Sequence, residues 1–117
     1  MLKQKYRLKK RKEFNYIFRK SKTFSTKLFV LNYVPTKLEN FKVGFSVSKK
    51  IGKAVVRNKV KRRMSEAFRS MQNKVSNDYN YIFVARRGIE NASYEEIKSS
   101  IRYSLEKCNL LKKDNTN

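Results

Sequence analysis

The 117-residue chain contains no His and no Trp, and has one Cys, one Pro and 3 Gly. Without His there is no imidazole base and no His ligand for zinc or haem. A single thiol, Cys108, excludes an internal disulfide and a Cys-x-x-Cys redox or zinc pair. The scarcity of Gly and Pro excludes collagen-like and flexible low-complexity chains. No apolar run approaches the ~18 residues of a membrane span. The N-terminal Met-Leu-Lys-Gln-Lys is not followed by an apolar signal segment. The expected location is a reducing cytoplasm, with no membrane partner. Acid is scarce too: Asp and Glu total 9. The two aspartates, Asp78 and Asp114, fall in a polar turn and in the tail, and Glu95 and Glu96 point to different helix azimuths. A two-metal nuclease needs several convergent carboxylates. No catalytic side chain and no protein metal site are therefore expected.

What the chain has instead is positive charge and aromatic rings. Lys and Arg total 30, for a net charge of +21, and there are 8 Phe and 7 Tyr. Its size fits one domain over residues 1–117, and its 39% hydrophobic content suffices for a modest core. So large an excess of one sign calls for a polyanion. Nucleic acid fits better than acidic lipid, because no segment reads as a basic helix with a clean apolar face left for a bilayer.

Residues 1–10 read as a basic arm, and the cations continue to Lys12. A short helix follows over about 10–20, with Phe14, Ile17 and Phe18 spaced to share a face. The polar stretch Ser21 to Thr26 ends it. Residues 28–34 read as a strand stopping at Pro35, and residues 41–48 as a second strand. In the latter Val43, Phe45 and Val47 take a packed face, while Gly44, Ser46 and Ser48 leave the other small, polar and open to close approach. Residues 53–71 are the longest helical stretch. Residues 80–85 form an apolar strand ending at Arg86 and Arg87, and Gly88 turns the chain. Ser93 and Glu96 have capping-box spacing and open a last helix with the stripe Tyr94, Ile97, Ile101, Leu105 and Cys108. From Lys112 to residue 117 the tail is polar and expected to fray. The order predicts an α+β fold, a two-layer α-β sandwich with helices on one face of a small sheet.

The informative segment begins at Lys49. On a wheel of 100° per residue, Val56, Val60, Met64, Ala67 and Met71 fall within an arc of ~80°, with Phe68 at its edge. Arg57, Asn58, Lys61, Arg62, Ser65 and Arg69 fill a separate arc of ~140°. One side docks on the sheet; the other presents cations around an amide that can both donate and accept. Gly52 and Lys53 sit near the helix start, where free backbone N–H groups attract anions. A Walker A loop is absent. Most Lys-rich helix faces are merely solvated; the extreme charge, its concentration along one helix and the central Asn58 favour RNA.

Here the sequence resembles the protein subunit of bacterial ribonuclease P. The likeness is carried by Lys49, Lys50, Gly52, Ala54, Val55, Arg57, Asn58, Lys61 and Arg62, followed by Glu66 and Phe68. Leu8, Glu13, Phe14, Phe18, the strand from Val43 to Ser48 and the strand from Ile82 to Arg86 fall in the matching order. The resemblance implies a left-handed βαβ crossover, where topology rules alone favour a right-handed one. It implies a protein that assists a catalytic RNA in cutting precursor tRNA once, releasing the 5′ leader. The RNA would face Lys49, Lys50, Lys53, Arg57, Asn58, Lys61 and Arg62. The leader would lie in a cleft between the first helix and the open sheet face, against Phe14, Phe18, Val30, Asn32, Ser46 and Arg86. Mg²⁺ would be bound by the RNA, and no protein partner would be required. From the residues alone, Phe14 and Phe18 suit either a core or a stacking role, Val30 suits core, and Arg86 suits either leader phosphate or solvent. Two positions depart from the family pattern: Ser65 stands where a further Arg commonly follows Lys-Arg, and Asn32 where a Tyr is common.

Overall fold

The structure is a computed structural model that describes residues 2–112. Three helices, α1 (Arg11–Lys20), α2 (Ala54–Arg69) and α3 (Tyr94–Lys107), accompany four strands: β1 (Lys22–Ser25), β2 (Phe29–Pro35), β3 (Val43–Ser46) and β4 (Tyr79–Ala85). The sheet order is β1-β2-β4-β3; β2 is antiparallel to both its neighbours, and β3 is parallel to β4. The chain passes from β3 to β4 through α2, giving a βαβ unit in a mixed α+β sheet.

Strand alternation divides the sheet. Phe29 and Leu31 of β2, Val43 and Phe45 of β3, and Tyr81 and Phe83 of β4 join Met64, Phe68, Ile97 and Ile101 in the main core. Phe83 lies at its centre, with ring centroids 5.2 Å from Phe29, 5.6 Å from Phe45 and 5.8 Å from Phe68. Tyr81 buries its ring there and donates its hydroxyl to the Ser76 carbonyl at 2.7 Å. Val60, Met64, Ala67 and Phe68 of α2 and Ile97, Ile101 and Leu105 of α3 are buried as expected, joined by Ser65 and Ser104, and the Ser93–Glu96 capping box opens α3.

The expectation of helices on one face holds for α2 and α3. By contrast α1 packs on the opposite face, where Ile17 and Phe14 meet Leu8, Val34 and Ile82. Both strands facing α1 carry an apolar residue there, so that face also has surface to bury.

Three further readings change. The polar stretch after α1 contains a strand, β1, whose exposed edge explains its lack of apolar alternation. Thr26 closes the β1–β2 turn, its Oγ1 accepting from the amides of Leu28 and Phe29 at 3.2 and 3.1 Å. The basic arm docks on the fold, which its run of cations did not indicate: Leu2 is buried, Tyr6 stacks on Phe41 at 4.8 Å, and Arg7 bridges to Val43, with the Leu8 amide donating to the Val43 carbonyl at 3.1 Å. The chain is tied down as far as Lys112, whose amide donates to the Lys74 carbonyl; the rest of the expected frayed tail, residues 113–117, lies outside the described residues.

Candidate nucleic-acid interface

The start of α2 is set by Gly52. Its φ of +157° suits glycine, and a Cβ there would stand 3.0 Å from Val56 Cγ1. Lys53 is the N-cap but its side chain caps no backbone N–H, and the first turn carries no acid. The partial positive charge of the helix start therefore adds to that of the side chains. Arg57 Nε donates to the Gly52 carbonyl at 3.1 Å, which fixes the guanidinium against the turn. Lys49, Lys50, Lys53, Asn58, Lys61 and Arg62 are exposed, and among the described residues their side chains meet no hydrogen-bond or ion-pair partner. Of the remaining cations of α2, Lys59 is exposed, whereas Arg63 Nη1 donates to the Ala92 carbonyl at 2.9 Å and Arg69 pairs with Glu66 at 3.4 Å. Ser65, expected among the exposed polar positions, is only 7% exposed. It lies on the side of α2 that faces Gly44 and Phe45 of β3.

On the α1 side, beyond the row of Val34 and Asn80, the sheet forms two rows that extend to β3. Asn32, Ile82 and Gly44 are register partners in the first, which α1 covers. Val30, Val84 and Ser46 form the second, and all three are only half-buried. Phe14 closes over Gly44 so tightly that a Cβ there would stand 2.6 Å from Phe14 Cζ. The close approach that Gly44 permits is thus made by the protein's own ring. Phe18, one turn further along α1, is 46% exposed.

Asn32 faces this side of the sheet as expected, but it is only 6% exposed. It accepts a hydrogen bond from Ser21 Oγ at 3.3 Å and reaches the Val30 and Ile82 carbonyls at 3.5 Å. It supports the floor of the cleft rather than lining its surface. Tyr33 points to the other face, against Tyr79. Arg86 is exposed at the end of β4, and its Nη1 donates to the Thr26 carbonyl at 2.8 Å. Val84 was missed at the sequence level because residues 80–85 read as one apolar run. The alternation of Ile82 and Val84 against Tyr81 and Phe83 was the available signal.

The two surfaces meet at the β3 edge. A cavity of about 460 Å³ lies there, with Phe14 and Leu8 on the α1 side, Gly44 and Phe45 on the strand, and Asn58, Lys61, Arg62 and Ser65 on α2. Arg7 completes its rim. The sequence did not mark Arg7 and Leu8 as site residues, because a run of cations gives no sign of docking beside β3.

Among the described residues no group of three or more Cys, Asp or Glu side chains could hold a metal ion. Glu13 has a structural task. Partial burial pushes its carboxyl pKa up, but hydrogen bonds from the Lys10 and Lys9 amides and the Lys42 ammonium at 3.2 Å outweigh this and hold it below its ordinary 4.5.

A family model described as Ribonuclease P matches residues 2–109. The chain belongs to the ribonuclease P protein family. The ribonuclease P protein component of Alkaliphilus oremlandii is 43% identical over 106 residues, covering 90% of this chain and 92% of the relative. That of Clostridium kluyveri is 41% identical over 109 residues, covering 92% and 97%. Among solved structures, a Staphylococcus aureus RNase P protein mutant with defective mRNA degradation activity superposes with a TM-score of 0.85 at 30% identity, covering 92% of this chain and 91% of that one. The Thermotoga maritima RNase P protein shares the fold, with a TM-score of 0.79 at 24% identity over 86% and 96% of the two chains. As a ribonuclease P protein component, this chain is part of an endoribonuclease complex that acts with an RNA subunit in tRNA 5′ processing.

Proposed function

We propose that the protein grips RNA on two adjoining surfaces. The exposed side of α2 and the turn before it, with Lys49, Lys50, Lys53, Arg57, Asn58, Lys61 and Arg62, docks the catalytic RNA. The half-open row Val30–Val84–Ser46, flanked by Phe14 and Phe18, receives the single-stranded 5′ leader of precursor tRNA. Arg86 stands at its end for a leader phosphate. Bases stacked on rings and backbone neutralised by cations give mild sequence preference. The RNA and its Mg²⁺ ions carry out the hydrolysis. The protein supplies position and charge neutralisation, which lowers the Mg²⁺ required. Precursor then outcompetes mature product, since only precursor has a leader. The site of action is the cytoplasm, and no other protein is required.

The observation that carries this reading is the placement of an uncovered sheet row and a set of unpaired cations on either side of one strand edge. The test uses a bacterial ribonuclease P RNA and 5′-labelled precursor tRNA at low Mg²⁺. The protein is expected to restore a single cut at the mature 5′ end and to cut nothing without the RNA. Equal binding of precursor and leaderless tRNA by the assembled complex, with no stimulation of that cut, would reduce the protein to a general RNA binder.

A further inference from the structure

Helix α1 lies along a single row of the sheet. Phe14 closes over Gly44 near one end, and Ser21, just past the other, donates its hydroxyl to Asn32 Oδ1 at 3.3 Å. Gly44, Ile82 and Asn32 are register partners, so the helix runs across the strands. Only Ile17 of α1 is buried, with Phe14 half-buried beside it. A ten-residue helix depends on such tertiary contacts for its place. Two neighbouring apolar anchors hold it down but leave its roll about its own axis weakly fixed. At 100° per residue, Glu13 and Phe18 stand on opposite flanks of the apolar stripe, ~140° apart. Glu13 lines a shallow hollow with Asn80, on the closed flank. Phe18 therefore stands toward the half-open row Val30–Val84–Ser46, and any roll of α1 moves its ring relative to that row.

Glu13 is tied at both oxygens. Oε1 accepts from the Lys9 and Lys10 amides at 3.2 and 3.1 Å, which fixes the carboxylate to the first turn of its own helix. Oε2 pairs with Lys42 Nζ at 3.2 Å. Lys42 in turn belongs to the sheet: its amide donates to Asn80 Oδ1 at 2.8 Å, and its carbonyl accepts from the Tyr81 amide at 2.9 Å. Among the described residues this is the one ion pair that joins α1 to the sheet. The two side chains are 32% and 29% exposed, and a pair so exposed adds little to stability. What it fixes is geometry. We propose that Glu13 and Lys42 are positioning residues for the leader cleft: their pair sets the roll of α1, and through it the height of Phe18 over the half-open row. Neither needs to touch RNA. This rests on the two-surface reading above and adds the part that holds the open face to one shape. Plain electrostatics gives a different outcome. If Lys42 attracted the leader directly, its loss would weaken leader binding, whereas neutralising Glu13 would strengthen it. A positioning pair loses the same geometry whichever partner is removed.

The variants are Lys42→Met, Glu13→Gln, their double and the conservative Lys42→Arg. Glu13→Gln breaks the ion pair but keeps an acceptor for the two amides. Should Lys42→Met fail to fold, Lys42→Gln takes its place. Holoenzyme is assembled from a bacterial ribonuclease P RNA and each protein, and its affinities for precursor and mature tRNA are measured. Each single variant is expected to lower the ratio of the two about fivefold, the upper end of what a partly exposed ion pair contributes. The double should fall no further, and Lys42→Arg should keep the wild-type ratio. Affinity for the RNA subunit should stay within about twofold throughout. A second readout needs no tRNA. The chain has no Trp, so Phe18→Trp places a single indole fluorophore at the ring in question. In that background the emission maximum of the free protein should move with Lys42→Met and with Glu13→Gln, and stay with Lys42→Arg. Opposite signs for the two single variants, additive losses in the double, or an unmoved emission would overturn the positioning role and leave the two-surface reading standing. Emission that moves while the tRNA ratio does not would mean that α1 rolls over a row holding no leader, and the two-surface reading fails with it.

Discussion

The two faces of this sheet are built from the same strands and finished differently. On one, α2 and α3 cover rings and aliphatic chains completely, and Phe29, Leu31, Tyr81 and Phe83 are inaccessible to solvent. On the other, one ten-residue helix covers the rows holding Val34 and Ile82, leaving Val30, Val84 and Ser46 half-open. The first face carries the stability of the domain. The second keeps just enough cover to hold α1 in place and leaves the remainder to a ligand. Alternation along β4 links them, so each strand contributes to core and cleft in successive residues.

The closed face is expected to suffer most from Phe83→Ala. Removing a ring that touches three others is expected to cost about 3–5 kcal/mol, a large part of the ~5–15 kcal/mol of a whole domain. Denaturant unfolding should show the loss as an earlier midpoint at similar slope. Next comes Gly44→Ala on the open face. Its Cβ would meet the Phe14 ring at 2.6 and 2.7 Å. Moving that ring is expected to cost about 1–3 kcal/mol, and adding Phe14→Leu should recover part of it. A fully additive double-mutant cycle would show that the ring and the glycine do not depend on each other.

Much of this division is legible in the sequence, because it rests on local spacing. The α2 stripe, the Ser93–Glu96 cap and the small face of β3 follow from periods of 3.6 and 2. What was not legible depends on contacts distant in sequence. Residues 22–25 show no strand pattern because β1 is an exposed edge, held by pairing with β2. The face on which α1 lands depends on where Leu8, Val34 and Ile82 meet, and no local period contains that. Ser65 reads as an exposed polar residue on a wheel, yet the fold seats it inside a cavity.

Glu13 lies at the seam between α1 and the sheet. Its carboxylate accepts from two backbone amides and pairs with Lys42, and its pKa is lowered on folding. A group whose folded pKa is depressed contributes stability above its unfolded value, and that stability is lost as pH falls through the folded one. The contribution should therefore be complete near neutrality and fade below about pH 4.5. Glu13→Gln is expected to remove roughly 1 kcal/mol at pH 7, the scale of a helix-start cap. The difference between wild type and variant should shrink as pH falls through the carboxylate range, as read by thermal unfolding at several pH values.

The smallest effect on stability is expected at Phe18, and it is the most informative about function. The ring is nearly half exposed and lies outside both buried clusters. Phe18→Ala should change unfolding free energy by no more than about 0.5 kcal/mol. If the open face holds the leader, the same variant should reduce the holoenzyme's preference for precursor over mature tRNA while the protein still assembles with the RNA subunit. Arg57→Ala should do the reverse, weakening assembly and flattening its salt dependence by about one phosphate contact. Measuring both affinities for both variants gives four numbers. If the two variants weaken assembly equally and leave tRNA preference untouched, α1 and α2 form one undivided RNA surface, and the finished and unfinished faces of the sheet do not correspond to separate tasks.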